Sequence, residues 1–217
     1  WFTLDTGWYG LTLNSQLVLD LIGFVTTSSD PAHPFTQYHD FWQRAVGNMI
    51  VACLGIIPGY YVAILFIDKM GRVNMQKLGF AVIALCLFIL SFTWSAIKHK
   101  SGWFLLIFTT AQFFFNFGPN VTTYVIPSEV FPTHLRARAH GISAAVGKFG
   151  AIIGIQVIAP FLHGDNGMPI VMFIFALMMV LGFFTTYLLP DMTGKDLSIW
   201  DQFDDNGIRL QVDPDIM

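Results

Sequence analysis

Trp1, Asp5 and Tyr9 recur every four residues in one apolar stretch, WFTLDTGWYGLTL, and Lys148 stands alone in another, RAHGISAAVGKFGAIIG. On a helix, positions i, i+4 and i+8 make one slowly drifting stripe, so an indole N–H, a carboxyl and a phenol would form a hydrogen-bonding wall. A lone lysine in an apolar run faces a cavity, where it binds an anion or pairs with a carboxylate, or else snorkels to the nearest interface. Asp5 is the obvious carboxylate. Asn120 follows a Gly118-Pro119 break, where proline removes a backbone donor and glycine permits a bend, so its amide is placed to meet a solute. Asn116, one turn earlier, competes for the same face, and Gln112 and Gln156 are weaker candidates. For each amide the rival reading is an interhelical hydrogen bond.

Composition says what must hold these groups. The 217 residues are 54% hydrophobic and 12% charged, about half the charge share of a soluble domain, and the mean hydropathy is +0.60. This predicts an all-α integral membrane protein. The net charge of −3 says little about partners, because what matters is where each charge sits. Cys53 and Cys86 lie inside apolar runs and read as small buried hydrophobes. The chain opens without Met inside an apolar segment, which reads as a fragment lacking its N-terminal part.

Six apolar segments approach the roughly 20 residues of a bilayer span. They run from Trp1 to about Phe24, Trp42 to Ile67, Leu78 to Ala96, Trp103 to Ile126, His140 to Leu162 and Pro169 to Leu189. Helices are expected, since each must satisfy its own backbone in lipid. Gly7 and Gly10, followed by Thr12, Asn14 and Ser15, predict a break or bend near the middle of the first segment. The connections read as a polar external loop over Thr26–Asp40, a charged link over Asp68–Lys77, a short link over Ile97–Gly102, a basic turn over Ser128–Arg138 and a tight loop over His163–Gly167. Residues 1–189 thus form a six-helix bundle. Residues 190–217 form a polar tail with a short helix near Leu197–Phe203. Lys69, Arg72, Lys77, Arg136, Arg138, Lys195 and Arg209 fall on one side and Arg44, Lys98 and Lys100 on the other. That asymmetry puts the first side and the tail in the cytoplasm. Lys148, ten residues beyond Arg138, then lies about 15 Å deep, near mid-bilayer. A charge there costs at least about 2.5–3.5 kcal/mol, which favours function over snorkelling. Asp5 likewise tilts its stripe away from the rival reading of Trp1 and Tyr9 as interfacial belt residues.

Asp68, Arg72, Glu129 and Arg136 sit at segment ends near water. They are expected to pair across helix ends and latch one conformation, acting as a gate rather than binding substrate. His140 lies close to that cluster and reads as a packed, hydrogen-bonded histidine, with pH sensing as the alternative.

These residues carry a resemblance. DKMGR, followed two helices later by PSEVFPTHLRARAHG, resembles the C-terminal half of the major facilitator superfamily near its sugar-porter branch. The W-x3-D-x3-Y stripe, NFGPNVTTYVIPSEVFP and AHGISAAVGKFGAIIG look like the phosphate:proton symporters, nearest the fungal high-affinity inorganic phosphate transporters. The likeness spans residues 1 to about 190. It implies helices seven to twelve of a twelve-helix fold, importing phosphate with protons by alternating access in the plasma membrane. Trp1, Asp5, Tyr9 and Asn120 would contact phosphate, Lys148 would hold the anion, and Asp5 would carry the coupling proton. The partners implied are inorganic phosphate, protons, the bilayer and the missing N-terminal half. No cofactor, metal or nucleic acid is expected. Lys69 and Met70 depart from the family's fuller gate motif, and Ser128 from its usual Gly or Ala. Other readings are a sugar or organic-ion porter of the same fold, and a non-transporting receptor signalling through a tail bearing Asp201, Asp204 and Asp205. A membrane enzyme has no nucleophile–base pair or phosphate-cradling loop to support it.

Overall fold

The structure, a computed structural model, describes residues 1–21, 24, 34–97, 100–158 and 167–195. Among these there is no strand, and the helices form six rods. The first is α1 (Phe2–Leu13) and α2 (Ser15–Leu21), broken at Asn14. The Asn14 amide folds back to donate to the Gly10 carbonyl at 2.9 Å, so the break carries its own hydrogen bond. The second is α3 (Pro34–Val51), a π-helical segment Ala52–Ile56 and α4 (Ile57–Met70). Pro58 removes a donor from the start of α4, and the widened turn just before it accommodates the ring. The third is α5 (Arg72–Phe92), followed by the short α6 (Trp94–Ile97). The fourth is α7 (Ser101–Phe117) and α8 (Pro119–Val130), interrupted at Gly118 as its sequence predicts. The fifth is α9 (Thr133–Ile158) and the sixth α10 (Gly167–Thr186). Among the described residues, three stretches are long and apolar enough to cross a membrane by length and composition: Tyr38–Met70, Arg72–Phe92 and Gly167–Thr186.

The helix ends depart from the sequence reading in one direction. The charged link Asp68–Lys77 shrinks to Gly71, because Asp68 closes α4 and Arg72 opens α5. Gly71 adopts φ 81, a left-handed region that glycine enters without penalty. The basic turn shrinks to Phe131–Pro132, with Pro127 inside α8 and both Arg136 and Arg138 already on α9. Part of the expected external loop, from Pro34 onward, belongs to α3. Lys98, the connection 159–166 and the tail from 196 lie outside the described residues, including the expected helix near Leu197–Phe203 and Asp201, Asp204, Asp205 and Arg209.

The core lies where α1, α5, α7 and α10 meet, built from Leu4, Leu11, Phe80, Leu87, Phe115 and Phe175. One polar knot is buried within the bundle. Gln76 donates to the Thr186 hydroxyl at 2.9 Å and accepts from the Thr122 hydroxyl at 2.9 Å, tying α5, α10 and α8 together. Its members are satisfied, as a buried polar group in an apolar bundle requires. Close helix approach depends on small residues. A Cβ on Gly79 would stand 3.0 Å from the Gly118 Cα, and one on Gly59 would stand 2.6 Å from the Phe113 carbonyl. The first contact seats α5 against the α7–α8 break. The second draws α4 onto α7 and brings Tyr60 to Asn120. Rods two and five keep broad outer faces of exposed large apolar side chains, among them Tyr61, Ile64, Leu65, Ile142, Phe149 and Ile152.

Candidate functional site

The α1–α9 contact assembles the charged centre. α9 offers Gly147, Gly150 and Gly154 to α1; a Cβ on Gly147 would stand 2.6 Å from Trp1 Cδ1 and 3.1 Å from Asp5 Oδ2. With the helices this close, Lys148 Nζ reaches Asp5 Oδ2 at 3.3 Å and donates to the Tyr9 hydroxyl at 2.6 Å. The ammonium also lies 4.2 Å from the centre of the Tyr9 ring. The pair is asymmetric: the Asp5 side chain is 3% exposed and the Lys148 side chain 58%. The carboxylate is therefore sunk between the helices, while the ammonium faces the open side of the bundle, where a solute can meet it. A charge-assisted bond to a phenol on top of an ion pair is the kind of contact that holds a lysine in one place.

Trp1 borders this centre and packs edge-on against Tyr124 of α8 and His140 of α9, at ring-centroid distances of 6.2 and 5.5 Å. Tyr124 and His140 contact each other at 4.9 Å. His140 is thus a packed ring beside Trp1 and Tyr124. Trp1, Gln76, Thr123, Pro127, Ser143 and others enclose a cavity of about 170 Å³.

Asn120 belongs to a second cluster, on α8 and α4. Its Nδ2 donates to Asn116 Oδ1 and to the Tyr60 hydroxyl, each at 2.8 Å. Asn116 is fully buried and donates to the Gln112 carbonyl at 2.7 Å, so it anchors Asn120 instead of facing solvent. Gln112 is buried and Gln156 exposed. Tyr60 and Tyr124 escape the sequence reading. The available signals were Pro58-Gly59 just before Tyr60, echoing Gly118-Pro119, and the four-residue step from Asn120 to Tyr124.

At the opposite ends of α4, α5 and α8, Arg72 pairs with Asp68 at 2.9 Å and with Glu129 at 3.0 Å. Arg136 donates within its own turn, to the Phe131 carbonyl at 3.3 Å and the Thr133 hydroxyl at 3.4 Å. The root of the tail joins this group. The Arg72 N–H donates to the Thr193 hydroxyl at 3.3 Å, capping α5. The Thr193 hydroxyl and N–H both donate to Asp191, holding that carboxyl below the usual carboxylate range. Arg72 and Glu129 are 17% and 15% exposed, Asp68 79%. Only the Arg72–Glu129 pair is shielded enough to matter. Arg72→Ala and Glu129→Ala should each lower thermal stability by about 1–3 kcal/mol and be clearly non-additive in the double variant. Asp68→Ala should stay within about 0.5 kcal/mol. Additive losses at 72 and 129 in thermal unfolding would remove the latch.

An all-helical bundle with span-length apolar helices and an ion pair opening to one side defines a polytopic membrane protein. Residues 35–201 match the family described as sugar (and other) transporter. The chain belongs to that family. It is 42% identical over 217 residues to a repressible high-affinity phosphate permease of Neurospora crassa, covering 95% of this chain and 37% of the relative. It is 40% identical over 208 residues to an inorganic phosphate transporter of Saccharomyces cerevisiae, covering 91% and 34%. A putative inorganic phosphate transporter of Oryza sativa is 38% identical over 205 residues, covering 91% and 38%. The chain therefore spans little more than a third of the length of these relatives.

Proposed function

We propose that this chain is the C-terminal six-helix half, residues 1–189 with a cytoplasmic tail over 190–217, of a plasma-membrane importer that couples inorganic phosphate to protons. The observation that carries the reading is the Lys148 ammonium held by Asp5 and Tyr9 at the open edge of the α1–α9 contact. The names of the fungal and plant relatives support phosphate as the solute. The exposed apolar faces of rods two and five suit a second six-helix half.

The chemistry follows from the pair. Phosphate near neutrality is a mono- or dianion. Lys148 supplies positive charge, Tyr9 an O–H, Trp1 an indole N–H, and Asn120 borders the opposite wall. Ionised Asp5 repels the anion and occupies Lys148 in the empty carrier. Protonated Asp5 releases the ammonium to the anion, so a proton and a phosphate enter together. Arg72, Glu129, Asp68 and Arg136, at the far ends of the helices, act as the cytoplasmic gate and hold one state. The test is radiolabelled phosphate uptake by the full-length protein in proteoliposomes under an imposed proton gradient. Uptake should collapse with the gradient and be displaced by arsenate but not by glucose. Displacement by glucose would make it a sugar porter, and phosphate binding without flux would make it a receptor.

A further inference from the structure

Three rings meet between the Lys148 centre and the latch. Trp1, Tyr124 and His140 stand edge-on to one another, with centroids 4.9 to 6.2 Å apart, a spacing at which aromatic edges and faces attract. Their levels follow from the helices that carry them. On α9, His140 lies eight residues before Lys148, two turns and about 12 Å nearer the latch on the same stripe. On α8, Tyr124 lies one turn past Asn120 in the same direction, and Glu129 of the latch follows five residues on. Trp1 reaches both levels. Its Cδ1 would stand 2.6 Å from a Cβ on Gly147, the neighbour of Lys148, and its ring touches His140.

The polar atoms of this group are unspent. Tyr124 is 63% exposed despite its two ring contacts, and His140 is half-buried. Among the described residues, neither the Tyr124 hydroxyl nor a His140 ring nitrogen has a hydrogen-bond partner. Both side chains can donate. A phenol carries an O–H, and an imidazole keeps at least one N–H whether neutral or charged. The helices behind them suit an anion. α9 holds His134, Arg136, Arg138, His140 and Lys148 and no aspartate or glutamate. Glu129, the one acid on α8, is paired with Arg72 at 3.0 Å.

We propose that Tyr124 and His140 form a second phosphate station, which the anion reaches after it leaves Lys148 and before it passes the latch. The inference rests on the phosphate reading and adds a step to it. The Tyr124 O–H and a His140 N–H each donate to a phosphate oxygen, and the Trp1 ring marks the threshold between the two levels. When Asp5 reclaims the Lys148 ammonium, the anion is given up there and caught one station on. An O–H and an imidazole N–H hold it less firmly than an ammonium does, which suits a site that must let go.

The experiment uses full-length protein in membrane vesicles of the two orientations, with inorganic phosphate offered at the latch side or at the opposite side. Tyr124→Phe and His140→Phe each keep a ring and remove the donor. Each should raise the half-saturation concentration at the latch side about tenfold, as loss of one hydrogen bond to a charged group does. At the opposite side it should move by less than about twofold, since Lys148 is untouched. His140→Gln keeps an N–H and should restore most of the latch-side value. Monodispersity of each solubilised variant separates loss of the station from loss of the fold. A wild-type latch-side value in either phenylalanine variant would overturn the proposal. So would an equal shift at both sides, or phenylalanine serving better than glutamine at 140, which would make His140 a packing ring only. The underlying reading fails separately, and visibly, if wild-type protein carries no phosphate in either orientation.

Discussion

Lys148→Ala is expected to reduce phosphate uptake by about a hundredfold or more. Two charge-assisted contacts converge on this ammonium, and an anion that replaces either one gains a bond to a charged group, each about 1.5–3 kcal/mol. Loss of about 3 kcal/mol is two powers of ten in affinity. The variant also strands Asp5, whose side chain is almost wholly buried. A buried ion pair with one partner removed is destabilised by about 3–5 kcal/mol if the other stays charged. Asp5→Asn separates the two effects. It keeps the shape and an acceptor for Lys148 but removes the charge proposed above to alternate with the anion. Phosphate binding should survive, while uptake should no longer follow the proton gradient. Both are read from initial uptake rates against phosphate concentration at several external pH values. Normal uptake in Lys148→Ala would sink the anion role, and an unchanged pH profile in Asp5→Asn would sink the coupling role.

Much of this geometry can be read from the chain before folding, and the rest is hidden for definite reasons. The W-x3-D-x3-Y spacing and the isolation of Lys148 point to each other because a charge inside an apolar run has few ways to be satisfied. The structure brings Lys148 within 3.3 Å of Asp5 and 2.6 Å of Tyr9. The six rods follow from apolar runs, and the break at Gly118 from its proline neighbour. Helix ends are misread by a turn or two, because Asp68, Arg72, Arg136 and Arg138 look like loop residues while they complete helices beyond the apolar length. Tyr60 is missed because its bond to Asn120 joins positions 60 residues apart, and such a pair leaves no period in a sequence. Thr193 is hidden for the same reason: its bond to the Arg72 N–H crosses 121 residues. Arg136 is the opposite case. Its charge invites a long-range partner, and the contacts described for it are with its own turn.

Gly154→Ala should damage the protein more than any other single methyl group added on α9. A Cβ there would stand 2.0 Å from the Thr6 carbonyl oxygen and 2.8 Å from the Thr6 carbonyl carbon. Both are backbone atoms of α1, which no side-chain rotation can move aside, so the helices must part. Gly150, one turn away, would meet the Phe2 carbonyl oxygen at 2.4 Å, so the pair forms a small-xxx-small contact along the shared face. Intrinsic propensity argues the other way, since alanine favours a helix over glycine by about 0.8–1.0 kcal/mol. Overpacking a fitted contact costs about 1–3 kcal/mol, so the net sign is destabilising. Gly102, near the start of α7, has open space around its Cβ position and serves as the control. Gly102→Ala should be neutral or slightly stabilising, while Gly154→Ala lowers the apparent Tm of the solubilised protein by several degrees. The same parting pulls Asp5 and Tyr9 from Lys148, so the surviving fraction of Gly154→Ala should bind phosphate more weakly than its folded yield explains. Equal Tm values for the two alanine variants would mean that α1 and α9 are not in backbone contact. The charged centre would then lose the support that holds Lys148 against Asp5.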